Sequence, residues 1–166
     1  MPDKKKYILD QSTAEKKLRR MALEIIENNF DEQSLILAGI RENGSIVAKK
    51  IQSFIAQNSQ LHTEVIRIDI EKEDPRKIVM SKDIDFSGKA ILIIDDVADS
   101  GKTLLYALKP FLAYLPKKIQ TLVLVERSHN TYPVQCDYIG LSIATTLQEH
   151  IFVEVDAENV LGAYLV

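Results

Sequence analysis

The stretch that most constrains how this chain folds runs from residue 91 to residue 103. Residues 91–94 are four consecutive aliphatic side chains, which predict a short strand buried on both faces. The adjacent carboxylates Asp95 and Asp96 follow, then a Ser-Gly turn, and residues 102–108 predict a helix. This order is typical of an open α/β sheet, in which ligands bind at the carboxyl ends of the strands.

The turn and the acid pair together indicate the chemistry of the ligand. Unpaired N–H groups in the turn and the positive end of the helix dipole favour a phosphate group. Two carboxylates cannot both face that phosphate without repulsion, so they are better suited to hydroxyl groups or to Mg²⁺. The sequence therefore predicts a ligand that carries both a polyol and a phosphate.

This segment resembles the phosphoribosyl pyrophosphate signature of type I phosphoribosyltransferases, which has four apolar residues, two acids and a Thr/Ser-Gly-x-Thr loop. It is not a Walker A loop, because the first glycine of that motif is missing at its required spacing. The resemblance implies an α/β three-layer sandwich with a mostly parallel five-stranded sheet and a small hood formed by the chain ends. It also implies transfer of ribose 5-phosphate from phosphoribosyl pyrophosphate to a nucleobase nitrogen, with release of pyrophosphate.

The resemblance also assigns roles within the signature. Asp95 and Asp96 would hold the ribose 2- and 3-hydroxyls, and they would hold Mg²⁺ through the ligand. The loop around the 5-phosphate would consist of Asp99, Ser100, Gly101, Lys102 and Thr103.

Composition sets further limits. The 166 residues are enough for one domain with a sizeable core, and 46% hydrophobic and 27% charged residues are typical of a soluble globular protein. The net charge of −3 provides no global basic field for nucleic acid, although residues 1–20 carry seven Lys/Arg against three Asp/Glu. Cys136, the only cysteine, has no internal disulfide partner and is expected in the core.

The chain also lacks signals for a membrane. Residues 1–6 are basic but no apolar segment follows them, and no run approaches membrane-spanning length. We therefore expect a cytoplasmic protein without a membrane partner.

The first predicted helix covers residues 13–28 and begins at a capping box formed by Ser12 and Glu15. Two interpretations of the basic residues on its outer face remain open: a solvated surface or part of an RNA-binding surface. These residues are Lys16, Lys17, Arg19 and Arg20.

A second strand-turn-helix unit has its strand at residues 34–40, its turn at 41–44 and its helix at 45–57. In the family the equivalent loop wraps the pyrophosphate of the donor, and the most similar subgroup has Gly-Ile-Lys-Thr-Arg-Gly there. This chain has Gly-Ile-Arg-Glu-Asn-Gly, which keeps a basic residue as Arg41 but places Asn43 where the later arginine stands. Glu42 adds an acid before Gly44. The departure predicts less efficient catalysis.

Residues 63–70 alternate between apolar and polar and predict a third strand, followed by a polar loop over residues 71–87. In phosphoribosyltransferases a flexible loop here closes over the reacting centre. The loop is short in this chain, and Arg76 and Lys77 are interpreted as the only basic residues that could serve in it. Further elements are predicted as a helix at 102–114, a strand at 119–125, a short strand and turn at 134–140 and closing strands at 151–155 and 163–166.

The carboxyl-terminal part resembles the pyrimidine operon attenuator subgroup, whose members are also uracil phosphoribosyltransferases. That subgroup has Val-Asp-Arg-Gly-His, Pro-Ile-x-Ala-Asp-Tyr-Val-Gly and Thr-Ser-x-x-Glu. The matching residues are Val125, Arg127, His129, Pro133, Asp137, Tyr138, Gly140, Thr146 and Glu149. The resemblance places Arg127, His129 and Ile139 near the base, and implies RNA as a further partner and a homodimer or higher homo-oligomer.

The residue Asp99 leaves open which nucleobase the protein uses. The attenuator subgroup usually has a large apolar or aromatic residue at this position, whereas Asp-Ser/Thr-Gly-Lys-Thr is similar to hypoxanthine-guanine phosphoribosyltransferases. In those enzymes the acid can transfer a proton at the purine, which makes Asp99 a candidate catalytic residue. Alternatively, Asp99 only stabilises the N-terminus of the following helix. The longer match in the tail favours uracil.

Two functions of different classes follow from these residues. One is a nucleobase phosphoribosyltransferase, and the other is a regulator that keeps the pocket to sense a nucleoside monophosphate and binds RNA with little catalysis. The intact signature predicts nucleotide binding under both.

Overall fold

The computed structural model describes residues 4–166, so the first three residues of the basic N-terminal segment lie outside the described part. The helices are α1 (Gln11–Asn28), α2 (Arg41–Asn58) and α3 (Lys102–Ala107), and a 3-10 helix spans Lys109–Ala113. The strands are β1 (Lys6–Asp10), β2 (Ser34–Ile40), β3 (His62–Ile70), β4 (Ile78–Met80), β5 (Ala90–Ala98), β6 (Lys118–Arg127), β7 (Tyr138–Ile143), β8 (Ile151–Val155) and β9 (Val160–Leu165).

The central sheet has the strand order β4-β3-β2-β5-β6-β7. Five of these strands are parallel, as expected: β3, β2, β5, β6 and β7. The strand β5 lies in the middle, between β2 and β6. The interpretation of residues 71–87 as a loop without strands was wrong, because β4 adds an antiparallel edge strand there. Its three residues pair with the end of β3, and the hydroxyl of Ser81 accepts a hydrogen bond from the Arg67 N–H at 2.8 Å.

Two core layers cover the two faces of this sheet. The aliphatic run of β5 supplies both, with Leu92 and Ile94 in the layer beneath α1 and α2. Ile91 and Ile93 face the other layer, which contains α3 and the 3-10 helix. This alternation is why residues 91–94 read as an unbroken apolar run. Cys136 is buried in the second layer, as expected, and burial raises the pKa of its thiol to about 11.

The chain ends form the expected hood, a separate antiparallel sheet with the order β1-β9-β8. Its inner side chains, including Leu9, Val153 and Ala163, join the core layer beneath α1 and α2. The hood is therefore packed against the sandwich. No helix among residues 4–166 is long and apolar enough to cross a membrane.

Three local predictions need correction. The helix α1 starts earlier than the capping box implied, because the Asp10 carboxylate accepts the Thr13 N–H at 2.7 Å and caps the helix. The helix predicted to reach residue 114 ends at Ala107 and continues as a 3-10 turn, since Pro110 has no N–H for a regular helical bond. Residues 134–137 are not a strand, and β7 begins at Tyr138.

Two glycines let β2 and α2 approach the centre of the sheet. A Cβ atom on Gly44 would lie 2.6 Å from the carbonyl oxygen of Ile94, and one on Gly39 would lie 2.6 Å from the Cα atom of Ser45. Both distances are too short for real atoms, so the backbone can turn this tightly only without side chains. The first turn of α2 consequently lies directly against the end of β5.

We expect Gly44→Ala to lower the free energy of unfolding by about 1–3 kcal/mol, because the added methyl group pushes α2 away from β5. Urea unfolding of the variant and the wild type measures this difference. Lys49→Ala, an exposed change in the same helix, is the matched control and should stay within about 0.5 kcal/mol of wild type. Equal stability of Gly44→Ala and wild type would show that the close approach is not required.

Candidate functional site

The acid pair lies at the carboxyl end of β5, as the sequence predicted, although both residues are still part of the strand. Asp95 is buried, with 5% of its surface exposed, and its Oδ1 atom accepts the Asp96 N–H at 2.9 Å. Asp96 is half-buried, and its Oδ1 atom accepts the Val97 N–H at 2.8 Å. Both carboxylates are thereby oriented by the backbone that follows them.

The two carboxyls differ in their electrostatic environment. Burial raises the pKa of Asp95 well above its ordinary value, and the neighbouring Asp96 carboxylate raises it further, while Arg41 acts in the opposite direction. Asp95 therefore holds a proton more readily than an ordinary aspartate, and Asp96 is the more accessible of the pair.

The predicted turn at residues 41–44 is instead the first turn of α2, which begins directly after β2. Arg41 makes this possible by adopting a positive φ of 54°, which turns the chain sharply. Its Nε–H donates to the carbonyl of Ile70 at the end of β3 (2.7 Å), and the Ser45 hydroxyl donates to the Arg41 carbonyl (2.6 Å). These bonds hold the four residues against the acid pair.

Asn43 connects three parts of the fold. Its side-chain amide donates to Oδ2 of Asp96 at 2.9 Å and to the carbonyl of Val153 in the hood at 3.2 Å. Because β8 is an edge strand of the hood, this carbonyl faces away from β9 and is available to Asn43. Each oxygen of Asp96 now accepts one N–H, and a carboxylate has about four acceptor positions. Asp96 can therefore still accept hydroxyl groups from a ligand.

A cavity of about 260 Å³ opens in front of these residues. Its walls are formed by Ile40, Arg41, Glu42, Asn43, Lys72, Asp95 and Asp96. Lys72 was missed by the sequence analysis, which considered only Arg76 and Lys77 in this segment. Arg76 pairs with Asp74 (2.8 Å) and Lys77 with Glu71 (3.6 Å). The available signal was the position of Lys72, two residues beyond the end of β3.

A second, smaller cavity of about 80 Å³ is enclosed by the signature loop, between Asp95 and residues 97–104. Gly101 caps α3 with a positive φ of 86°, and the Ser100 hydroxyl accepts the Lys102 N–H at 3.3 Å. The Ser100 carbonyl accepts two N–H groups, from Thr131 and Tyr132, at 3.0 Å each. The loop after β6 therefore fixes the shape of the signature loop.

That loop also lines an open groove of about 560 Å³ beside the signature. The groove is lined by Glu126, Ser128, Asn130, Thr131, Tyr132, Pro133, Val134 and Gln135. Of these residues, the sequence had singled out only Pro133, as part of the match to the attenuator subgroup.

Of the three residues expected near the base, Arg127 alone contacts the signature. Its Nε atom lies 2.9 Å from Oδ1 of Asp99 and forms an ion pair with it, but the Nε–H does not point at that oxygen and makes no hydrogen bond. The Nη2–H of Arg127 donates to the Glu149 carbonyl. His129 is exposed and does not line the groove. Ile139 is level with Asp95 in the sheet but packs into the second core layer.

Two of the four basic residues of α1 already contact other side chains of the fold. Arg20 donates to Glu24 (2.6 Å) and to the Ile139 carbonyl (2.9 Å), and the Arg19 guanidinium lies 5.1 Å from the ring centroid of Phe54. Lys16 is exposed and Lys17 is half-buried. All four lie on α1, away from the two cavities.

The donor set decides how a metal can be held. Residues 4–166 contain no group of three or more His, Cys, Asp or Glu side chains arranged to bind a metal. The acid pair nevertheless fits Mg²⁺, which in proteins often uses one or two carboxylates together with oxygen atoms of a phosphorylated substrate.

An oriented carboxylate pair beside a small loop cavity at the end of a parallel sheet is the arrangement expected in the class of proteins that bind phosphorylated sugars. The family described as phosphoribosyl transferase domain matches residues 5–158. The curated relative named Bifunctional protein PyrR from Streptococcus equi subsp. zooepidemicus is 34% identical over 157 residues, covering 92% of this chain and 91% of the relative. Its namesake from Clostridium novyi is 32% identical over 173 residues, covering 96% and 97%. The chain therefore belongs to the type I phosphoribosyltransferase family and, within it, to the PyrR group.

Solved structures agree with this fold. A hypoxanthine phosphoribosyltransferase from Trypanosoma cruzi superposes with a TM-score of 0.77 at 15% identity, covering 95% of this chain and 96% of the other. A hypoxanthine-guanine phosphoribosyltransferase from Bacillus anthracis gives 0.75 at 16% identity, covering 97% of each. The family and the enzyme class that the signature indicated, a pentosyltransferase, are thus confirmed.

The raised pKa of Asp95 leads to a prediction about stability. The stabilisation linked to its proton is complete below the ordinary pKa of 3.8 and is lost as the pH rises through the raised pKa. Asp95→Asn keeps an acceptor for the Asp96 N–H and does not titrate. We expect its free energy of unfolding to rise relative to wild type over that window, measured by urea unfolding from about pH 4 to about pH 8.

Asp85→Asn serves as the control, because the pKa of this carboxyl is shifted in the opposite direction. Asp85 is exposed, and the Ser87 N–H (2.9 Å) lowers the pKa of its carboxyl. The stabilisation from this lowered pKa is present above the ordinary value of 3.8 and is lost only as the pH falls below it, so the difference between Asp85→Asn and wild type should stay nearly constant from about pH 4 to about pH 8. A constant difference between Asp95→Asn and wild type at every pH would contradict the raised pKa of Asp95.

Proposed function

We propose that this protein transfers ribose 5-phosphate from phosphoribosyl pyrophosphate to uracil and also binds RNA as a regulator of pyrimidine genes. The observation that carries the enzymatic part is the Asp96 carboxylate, held open beside the signature loop by Asn43 and the backbone. The word bifunctional in the name of the relatives supports the second activity. The proposal places the protein in the cytoplasm, as a homodimer or higher homo-oligomer.

The two cavities bind different parts of phosphoribosyl pyrophosphate. In the proposal, residues 100–103 bind the 5-phosphate through the N–H groups of the loop and the N-terminus of α3, with Asp99 beside them. Asp95 and Asp96 accept the ribose hydroxyls. The first turn of α2, from Arg41 to Gly44, faces the pyrophosphate. Bound Mg²⁺ would neutralise charge between the pyrophosphate and the ribose hydroxyls, next to the same acid pair.

This chain promotes the reaction mainly by position and charge. The bond between ribose C1 and the pyrophosphate oxygen breaks, and its electron pair stays on pyrophosphate. A new bond forms from C1 to the base nitrogen, which loses its N–H proton to solvent. Fixed hydrogen bonds at Asp96 and in the signature loop hold C1 in line with both groups without reorganisation during the reaction.

A purine base is the second candidate, and Asp99 favours it. The Asp99 side chain is 57% exposed at the edge of the signature loop, where a carboxylate can exchange a proton with a bound base. Its carboxylate is, however, already paired with Arg127 (2.9 Å), and the residues of the tail resemble the uracil enzymes. We therefore propose uracil as the base, with Arg127 positioned between Asp99 and residue 149.

A base screen tests the enzymatic proposal. We expect the wild type to convert uracil, and not hypoxanthine, guanine, xanthine or adenine, to its nucleotide in the presence of phosphoribosyl pyrophosphate and Mg²⁺. Asp96→Asn should weaken uridine monophosphate binding about 10- to 150-fold in calorimetry, because it loses a charged hydrogen-bond acceptor. Asp83→Asn, an exposed loop change, is the control and should bind as wild type does.

Asp99→Asn separates the two bases in the same screen. Unchanged uracil turnover in this variant supports the uracil enzyme, whereas purine turnover that falls about a hundredfold with ligand affinity intact makes Asp99 catalytic. Nucleotide binding without turnover of any base would replace the enzyme by a nucleotide sensor.

The RNA activity is tested by its salt dependence. If α1 contacts RNA phosphates, Arg19→Ala and Arg20→Ala should each reduce the slope of log affinity against log salt by about 0.7–0.9. Mobility shifts with a pyrimidine-operon leader RNA at several salt concentrations measure this slope. Arg67→Ala, whose side chain pairs with Asp69 on β3, is the control. Slopes that match the wild type would assign the α1 cations to an ordinary solvated surface.

A further inference from the structure

Lys72 lies at the wall of the larger cavity, although it follows the end of β3 in a polar segment. The strands β2 and β3 are parallel and in register up to Ile40 and Ile68, so their carboxyl ends lie side by side. Arg41 follows β2 and donates to the carbonyl of Ile70, which closes the gap between the two strand ends. Lys72 therefore faces the same space as Arg41 and the acid pair.

The charge of Lys72 is not used within the fold. The other cations of residues 71–87 each have an acidic partner: Arg76 pairs with Asp74, Lys77 with Glu71, and Lys82 with Glu64. Among the described residues Lys72 makes no ion pair within 4.0 Å. It is exposed and lines a cavity, which is the arrangement expected of a cation that meets a ligand.

Lys72 adds to the little positive charge that an anion would meet in this cavity. Arg41 is the only other cation in its wall, whereas Glu42, Asp95 and Asp96 are acidic. Asn43 carries no charge and donates its amide hydrogens to Asp96 and Val153. Without Lys72, Arg41 would be the single cation facing three acidic side chains, and the wall would repel a pyrophosphate group more strongly. With Lys72, two cations flank the space that the first turn of α2 encloses.

We propose that Lys72 is the second cation that binds the pyrophosphate group of the donor and stabilises it as it leaves. The positive charge that Asn43 does not supply on α2 is thus provided from the end of β3. When the C1–O bond breaks, negative charge develops on the departing oxygen, so a nearby ammonium group stabilises the transition state as well as the bound donor. This inference rests on the proposed function, because it requires phosphoribosyl pyrophosphate as a ligand.

The test compares ligands that differ in the pyrophosphate group. Phosphoribosyl pyrophosphate, inorganic pyrophosphate and uridine monophosphate are titrated by calorimetry, at one fixed Mg²⁺ concentration, into wild type, Lys72→Met and Lys72→Arg. We expect Lys72→Met to weaken the first two ligands roughly five- to twentyfold, less than for a buried ion because Lys72 is exposed. Uridine monophosphate, which has no pyrophosphate, should bind unchanged, and Lys72→Arg should restore most of the lost affinity.

Lys77→Met is the matched control, since Lys77 lies in the same segment but pairs with Glu71; it should bind all three ligands as wild type does. Wild-type affinity of Lys72→Met for phosphoribosyl pyrophosphate overturns the role of Lys72 and leaves the proposed function standing. An equal loss for all three ligands also overturns it, because that loss indicates a structural role. If the wild type binds neither phosphoribosyl pyrophosphate nor uridine monophosphate, the proposed function itself fails.

Discussion

The contact between the first turn of α2 and the end of β5 is the constraint on which the site depends. It exists because Gly44 has no side chain to collide with the Ile94 carbonyl. The contact brings Asn43 within hydrogen-bond distance of Asp96, and the same amide reaches the carbonyl of Val153 in the hood. The central sheet, α2 and the hood thus meet at a single carboxylate, so a change in any of them alters how Asp96 is presented to a ligand.

Burial divides the work within the acid pair. Asp95 is enclosed, and its raised pKa reflects the free energy required to keep a charge there. Asp96 is half-buried and has an N–H donor for each oxygen, so it remains a preoriented acceptor. Preorientation matters for a reaction promoted by position, because hydrogen bonds that are already formed need no reorganisation when the ligand arrives. Asp95 and Asp96 therefore differ in their roles: Asp95 is enclosed, whereas Asp96 is the acceptor that a ligand can reach.

The sequence predicted what depends on local patterns. The run at residues 91–94 and the alternation at 63–70 gave β5 and β3, since burial of apolar side chains decides both. It did not predict β4, whose three residues depend on pairing with β3, or the start of α2 at Arg41, which has no capping side chain before it. The contact between Asn43 and Val153 arises from the arrangement of strands across the fold, and no spacing in the chain indicates it. The position of Lys72 just after β3 is visible in the sequence, but its place in the cavity wall depends on the neighbouring strands.

The site is built from two halves that depend on different segments. In the proposed function, the half that binds the donor combines the ends of β2, β3 and β5 with the hood, whereas the half that binds the base combines the signature with the loops after β6 and β7. The signature belongs to both halves, and its Ser100 carbonyl accepts the N–H groups of Thr131 and Tyr132. Substitutions in the base half can therefore change which base reacts, or whether one reacts, while the donor half continues to bind a ribose phosphate. An enzyme and a nucleotide-responsive regulator can for this reason use the same acid pair.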